Sequence, residues 1–152
     1  MHIICCGNPE RGDDGAGVLL ARRLRDSGIE AEVRTGEALE LIAAWSGATD
    51  VIVVDEVVTG APSGTVQRWD AFELAPVRSV STSTHGFSVA EAIELGRTLG
   101  NLPRRLRVCG IEGRQFALGA TISPEVERAV NNLAQEITAE ALGRQPHSPA
   151  GK

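Results

Sequence analysis

VIVVD, residues 51–55, is the most legible stretch of the chain: four consecutive β-compatible apolar residues stopped by an acid. An apolar run of this length without alternation belongs to a strand buried on both faces. Upstream, HIICC at 2–6 is a second such run, closed by Gly7, Asn8 and Pro9, which mark a turn. Between the two runs, residues 15–26 are expected to form a helix with Val18, Leu20, Ala21 and Leu24 inward. Residues 30–35 read as a strand, and 37–46 as a helix carrying Leu39, Ile42 and Ala43 on its inner side. Strand, helix, strand, helix, strand implies parallel strands with helices packed over them.

Downstream, APSG at 61–64 is a turn and TVQRWD at 65–70 alternates, as a half-exposed strand returning antiparallel does. Ser88 with Glu91 forms a capping box for a helix running to about residue 99. LRVCGI at 106–111 is the last strand. Ser123, Pro124 and Glu125 supply an N-cap, a Pro at the first helical position and an early acid for a final helix, with Val126, Val130, Leu133 and Ile137 inward. The predicted fold is therefore α/β, a three-layer sandwich: a twisted, mostly parallel five-stranded sheet with one antiparallel strand and helices on both faces. Residues 1–142 read as a single domain, and the polar stretch 143–152 as a disordered tail.

Composition narrows the chemistry. The chain has 152 residues, enough for one domain with a real core, and no linker, repeat or charge block divides it. Net charge is −5 with scattered basic residues, which argues against nucleic acid. No run is long enough to span a membrane and the N-terminal apolar run is too short for a signal peptide, so a cytoplasmic location is expected. The sole lysine is Lys152 and there is no tyrosine, which removes lysine and phenol chemistry from the folded body. Cys5, Cys6 and Cys109 all lie in apolar strands, where cysteine acts as a small buried hydrophobe.

In such a sheet, ligands bind outside the carboxyl ends of the strands. Asp13 and Asp14 follow the first strand, Asp55 ends the third, and the return of the chain before the third helix brings His85 to the same edge. Two carboxylates and an imidazole converging there make an O/O/N site for a divalent transition metal. Each has a plain structural alternative. Asp14 stands where an N-cap for the first helix belongs, Asp13 suits that helix's dipole, and His85 is an ordinary loop histidine. Glu56 points away from Asp55 on the strand and is expected to be exposed or capping.

The motifs G-N-x-x-x-G-D-D-G-x-G-V (7–18), V-D-x-V-x-x-G-x-x-S-G-T (54–65), S-T-H-x-x-S (83–88) and G-I-x-x-x-x-F-x-x-G-A-x-I-S-P-E-V (110–126) together resemble the nickel–iron hydrogenase maturation endopeptidases. The resemblance runs from residue 2 to about 140. It implies an endopeptidase that removes a C-terminal peptide from the nickel-loaded large-subunit precursor of a hydrogenase. By the same resemblance, Asp14, Asp55 and His85 contact the metal, Asp13 belongs to the motif without being a ligand, and the nickel is carried by the substrate. No tightly bound metal of the chain's own is then expected, and the expected partner is the precursor; a monomer is expected, a reading that the resemblance itself does not supply. Asp14 or Asp55 would act as the catalytic base. The charged pair Glu10 and Arg11 and the residue Ser63 depart from the family's usual pattern at the rim. A phosphorelay receiver domain shares the layout but needs a lysine after the last parallel strand, which is absent. A non-proteolytic, nickel-dependent checkpoint or chaperone on the same fold is the main alternative.

Overall fold

The computed structural model describes residues 1–72 and 84–143, the side chains of residues 84–88 excepted. In chain order the elements are β1 (His2–Cys6), α1 (Ala16–Asp26), β2 (Glu32–Arg34), α2 (Ala38–Trp45), β3 (Asp50–Val57), β4 (Val66–Asp70), α3 (Thr84–Leu99), β5 (Arg105–Glu112) and α4 (Pro124–Ala141). A short 3-10 turn, Gly12–Gly15, leads into α1. The strands lie in the order β2-β1-β3-β5-β4; the first four are parallel and β4 is antiparallel to β5. The predicted class and the one reversed strand are both found.

The apolar runs sort by the two-residue period of a strand. Ile3 and Cys5, Ile52 and Val54, Cys109 and Ile111 face a core shared with Leu20 and Leu24 of α1 and Val126, Val130, Leu133 and Ile137 of α4. Ile4 and Cys6, Val51 and Val53, Leu106 and Val108 face the opposite core, shared with α2 and α3. Each fully buried aliphatic side chain of this kind contributes roughly 1.5–3 kcal/mol, so these two layers hold the sheet between its helices. The three cysteines are free and buried, as expected of apolar filling.

Three local expectations are corrected. In α2 the inner residues are Leu41, Ile42 and Trp45, while Leu39 is 63% exposed and Ala43 faces solvent. Trp45 sets that phase: its ring is buried and its indole N–H donates to the Asn101 carbonyl at 3.1 Å. The third helix begins at Thr84, four residues before Ser88, so Ser88 lies inside the helix and His85 lies in its first turn rather than in a loop. β3 does not stop at Asp55. It stays paired with β5 to Val57↔Glu112, although its pairing with β1 ends at Cys5↔Val54. Of the disordered tail expected at 143–152, all but Gly143 lies outside the described residues. No described helix is long and apolar enough to cross a membrane.

The chain changes direction at β1: from there it goes to β2 on one side and to β3 on the other. A crevice opens at the carboxyl ends of strands at such a switch point. Gly17 holds α1 against β1 there, because a Cβ on it would lie 2.1 Å from the Cys6 carbonyl oxygen. Alanine is the better helix former by about 1 kcal/mol, but a backbone atom at that distance cannot be cleared by a rotamer change. Gly17→Ala is therefore expected to lose roughly 1–3 kcal/mol net. Urea denaturation checks this: a lower midpoint at unchanged slope is expected.

Candidate functional site

Asp14, Asp55 and Glu56 meet at the β1/β3 crevice. Each offers a carboxylate oxygen within 4.8 Å of those of the other two, and all three side chains are buried. Asp14 comes from the 3-10 turn that follows β1, and Asp55 and Glu56 from the part of β3 that β1 no longer pairs. Gly7 permits this approach. A side chain there would lie 2.2 Å from the Asp14 carbonyl oxygen, which instead accepts a hydrogen bond from the Asn8 N–H at 2.8 Å.

Asp14 is not the N-cap of α1. That position is Gly15, without any side-chain capping bond, so the carboxylate serves the crevice. Asp55 accepts one hydrogen bond at Oδ1, from the Glu56 N–H at 2.8 Å, and its Oδ2 has no hydrogen-bond partner among the described residues. Burial first, and then the neighbouring Asp14 carboxylate, push the Asp55 carboxyl well above the usual carboxylate range.

Glu56 overturns its sequence reading. It is 0% exposed, and neither side-chain oxygen has a hydrogen-bond partner among the described residues. Its side chain starts on the α1/α4 side of β3 and Asp55's on the other, yet both reach the same edge because β1 has turned away. The signal was in the sequence: VIVVD is followed by Glu56 and then two more valines, so the acids sit inside an apolar strand rather than after it.

Asp13 has a different task from Asp14. Its carboxylate accepts from the Arg114 N–H (2.8 Å), the Gln115 N–H (2.9 Å), the Ser123 N–H (2.7 Å) and the Ser123 hydroxyl (3.0 Å). Its own N–H donates to the Gln115 carbonyl at 2.6 Å. Asp13 thus latches the first loop to the segment between β5 and α4, and Ser123 spends its hydroxyl on that latch instead of capping α4. Partners a hundred residues away left no local signal. Glu112, also missed, is a second satisfied acid: it accepts from the Thr59 N–H and hydroxyl and from the Gly60 N–H, fixing the turn after β3.

His85 stands in the first turn of α3, and its side chain lies outside the described residues. Since α3 runs back to the start of β5, that turn is at the carboxyl edge of the sheet. No cysteine competes as nucleophile. Burial pushes the Cys5 thiol up to about 12 and Cys109 to about 11. Cys6, beside the crevice, is driven well up by burial and then by the Asp55 carboxylate.

Two expectations follow. Asp13→Ala strips three backbone N–H groups and a hydroxyl of their acceptor and is expected to cost on the order of 3 kcal/mol in urea denaturation. For Asp55 the folded state binds the proton more tightly than the unfolded chain. Wild-type stability therefore falls as pH rises from about 4 toward the elevated value of Asp55. Asp55→Asn removes that loss: in chelator-treated buffer it should match wild type near pH 4 and exceed it at neutral pH, as read by thermal melts across pH.

A family model described as Hydrogenase maturation protease matches residues 34–140, a span that contains Asp55, Glu56 and His85 and leaves out the first loop. Protein FrxA of Pyrococcus furiosus is 28% identical over 130 residues, covering 83% of this chain and 93% of that protein. Among solved structures, the hydrogenase maturating endopeptidase HybD from E. coli superposes with a TM-score of 0.74 at 22% identity, covering 94% of this chain and 93% of that one. The [NiFe] hydrogenase maturation protease HybD from Thermococcus kodakarensis does so with a TM-score of 0.73 at 24% identity, over 95% of this chain and 100% of that one. At these identities the superpositions speak for the fold, and the family follows from the match over most of the chain. The protein belongs to the hydrogenase maturation protease family, a family of peptide hydrolases.

Proposed function

We propose that this protein removes a C-terminal peptide from the nickel-loaded large-subunit precursor of a nickel–iron hydrogenase. The observation that carries the reading is the convergence of Asp14 and Asp55 in the crevice between β1 and β3, in a chain of this family. Two buried carboxylates at the open edge of a sheet leave room for a metal that arrives on another protein. With His85 they give three donors, too few to close a structural site and suited to completing the coordination of a metal already held by the client. Nickel is then part of the substrate, and its presence is what the crevice tests.

Hydrolysis requires a water oxygen to bond to the scissile carbonyl carbon, a base to take the water's proton, and that proton to reach the leaving amide nitrogen. The client's nickel supplies Lewis acidity toward a carbonyl oxygen. Asp14 and Asp55 are the carboxylates able to accept the proton, and the burial of both keeps bulk water from competing. A thiolate mechanism is disfavoured by the elevated thiols.

The test is mass spectrometry of a nickel-loaded precursor incubated with wild type and, separately, with Asp14→Ala, Asp55→Ala and His85→Ala. Loss of a C-terminal peptide with wild type, reduced at least about a hundredfold in each variant, is the expected result. Cleavage undiminished in all three variants would overturn the assignment of the site. Stable binding of loaded precursor without any cleavage would instead establish a checkpoint that does not cut.

A further inference from the structure

Six large apolar side chains are left exposed among the described residues. Met1, Phe72, Leu99 and Leu142 stand at the amino edge of the sheet, beside the ends of elements, where single apolar residues are ordinary. Leu39 and Leu118 stand at the carboxyl edge, where the crevice opens. Leu118 is the most exposed of the six, at 69%, yet its loop is fastened along its length. The Asp13 carboxylate holds the N–H groups of Arg114, Gln115 and Ser123, and the Gln115 side-chain amide donates to the Thr121 carbonyl at 2.8 Å. The Ala120 N–H donates to the Ala117 carbonyl at 3.0 Å, closing a β-turn with Leu118 and Gly119 at its centre. Gly119, at φ +84°, supplies the backbone conformation that such a turn needs. The tip is also tied to the first loop. The Gly119 N–H donates to the Glu10 carbonyl at 2.8 Å, and the next carbonyl along, that of Arg11, accepts from the Asp14 N–H at 3.0 Å. Leu118 is thus held on the lip of the crevice, beside the loop that carries Asp14. The Arg11 side chain is exposed on the same lip and is in none of the ion pairs among the described residues.

We propose that Leu118 and Arg11 form the docking lip for the client precursor, which lays across it a segment presenting an apolar side chain beside a carboxylate. The inference rests on the peptidase reading and deepens it, since it names what is recognised besides the metal. Continuity with the crevice decides the occupant: a chain that brings its scissile bond to Asp14 and Asp55 passes the loop to which both Leu118 and Arg11 belong or are bonded. Rigidity decides the energetics. An apolar side chain already fixed at the tip of a closed turn gives up little freedom on being covered, so most of its burial appears as affinity. The Arg11 guanidinium, unneutralised by any ion pair among the described residues, can take a carboxylate through two parallel N–H donors. The crevice then tests whether a client is loaded, and the lip tests which chain it is.

The experiment measures cleavage of the nickel-loaded large-subunit precursor over a range of precursor concentrations, so that KM and kcat are read separately. Leu118→Ser and Arg11→Gln are each expected to raise KM at least about tenfold with a much smaller change in kcat. Both residues are exposed, so both variants are expected to melt with wild type. Leu142→Ser, which removes an equally large side chain at the opposite edge of the sheet, is the control and is expected to keep the wild-type KM. Wild-type KM in both lip variants would overturn the proposal and leave the peptidase reading standing. An equal rise in Leu142→Ser, or a loss confined to kcat, would overturn it as well. No cleavage of loaded precursor by wild type would overturn the peptidase reading, and the docking lip with it.

Discussion

Three carboxylates held out of water at one end of a parallel sheet are the constraint around which this molecule is arranged. Left to themselves, Asp14, Asp55 and Glu56 would repel one another and seek solvent. They stay because each is fixed by an element that has other reasons to be where it is. β3 is the central strand, buried on both faces, and at Asp55 and Glu56 it is still held by its pairing with β5, so neither residue has freedom to swing outward with its backbone. Asp14 is carried by the turn between β1 and α1, and α1 is seated on β1 by the close approach at Gly17.

That first turn has no core of its own, and the Asp13 latch supplies what packing does not. Four hydrogen bonds accepted by the Asp13 carboxylate and one donated by the Asp13 N–H tie the turn to the segment leading into α4. The two adjacent acids therefore divide the labour: one side chain turns inward to backbone donors and freezes the turn, leaving the next to face the crevice. A rigid turn matters here because a carboxylate that could move by an ångström would relax away from its neighbours. The clustering would then be lost without any change in the fold.

The layers and strand order were legible because they depend on short-range patterning. The unbroken runs at 2–6 and 51–55 and the alternation at 65–70 each state how many faces of a strand are buried. The phase of α2 is not legible from its aliphatic residues alone, because Trp45, the largest side chain of that helix, is the one that is buried and Leu39 is not. The start of α3 is not legible from the capping box at Ser88, a local signal, because the helix extends past it to Thr84. Asp14 and Asp55 could be placed on one edge from topology alone. Asp13 could not be assigned its latch, since its partners are residues 114, 115 and 123.

Glu56 shows where the period-two rule stops being informative. Alternation assigns adjacent residues to opposite faces, and along the paired length of β3 it does so correctly for every residue from Val51 to Val54. It says nothing about what lies on those faces. Where β1 parts from β3, the neighbour that would separate the two sides is missing, and side chains from both can reach one point at the unpaired strand edge. Adjacent acids in the middle of a strand are thus chemically equivalent to a pair on one face only at a switch point. The apolar residues that continue after Glu56 mark this as such a place, because they keep the strand buried beyond the position where its partner has gone.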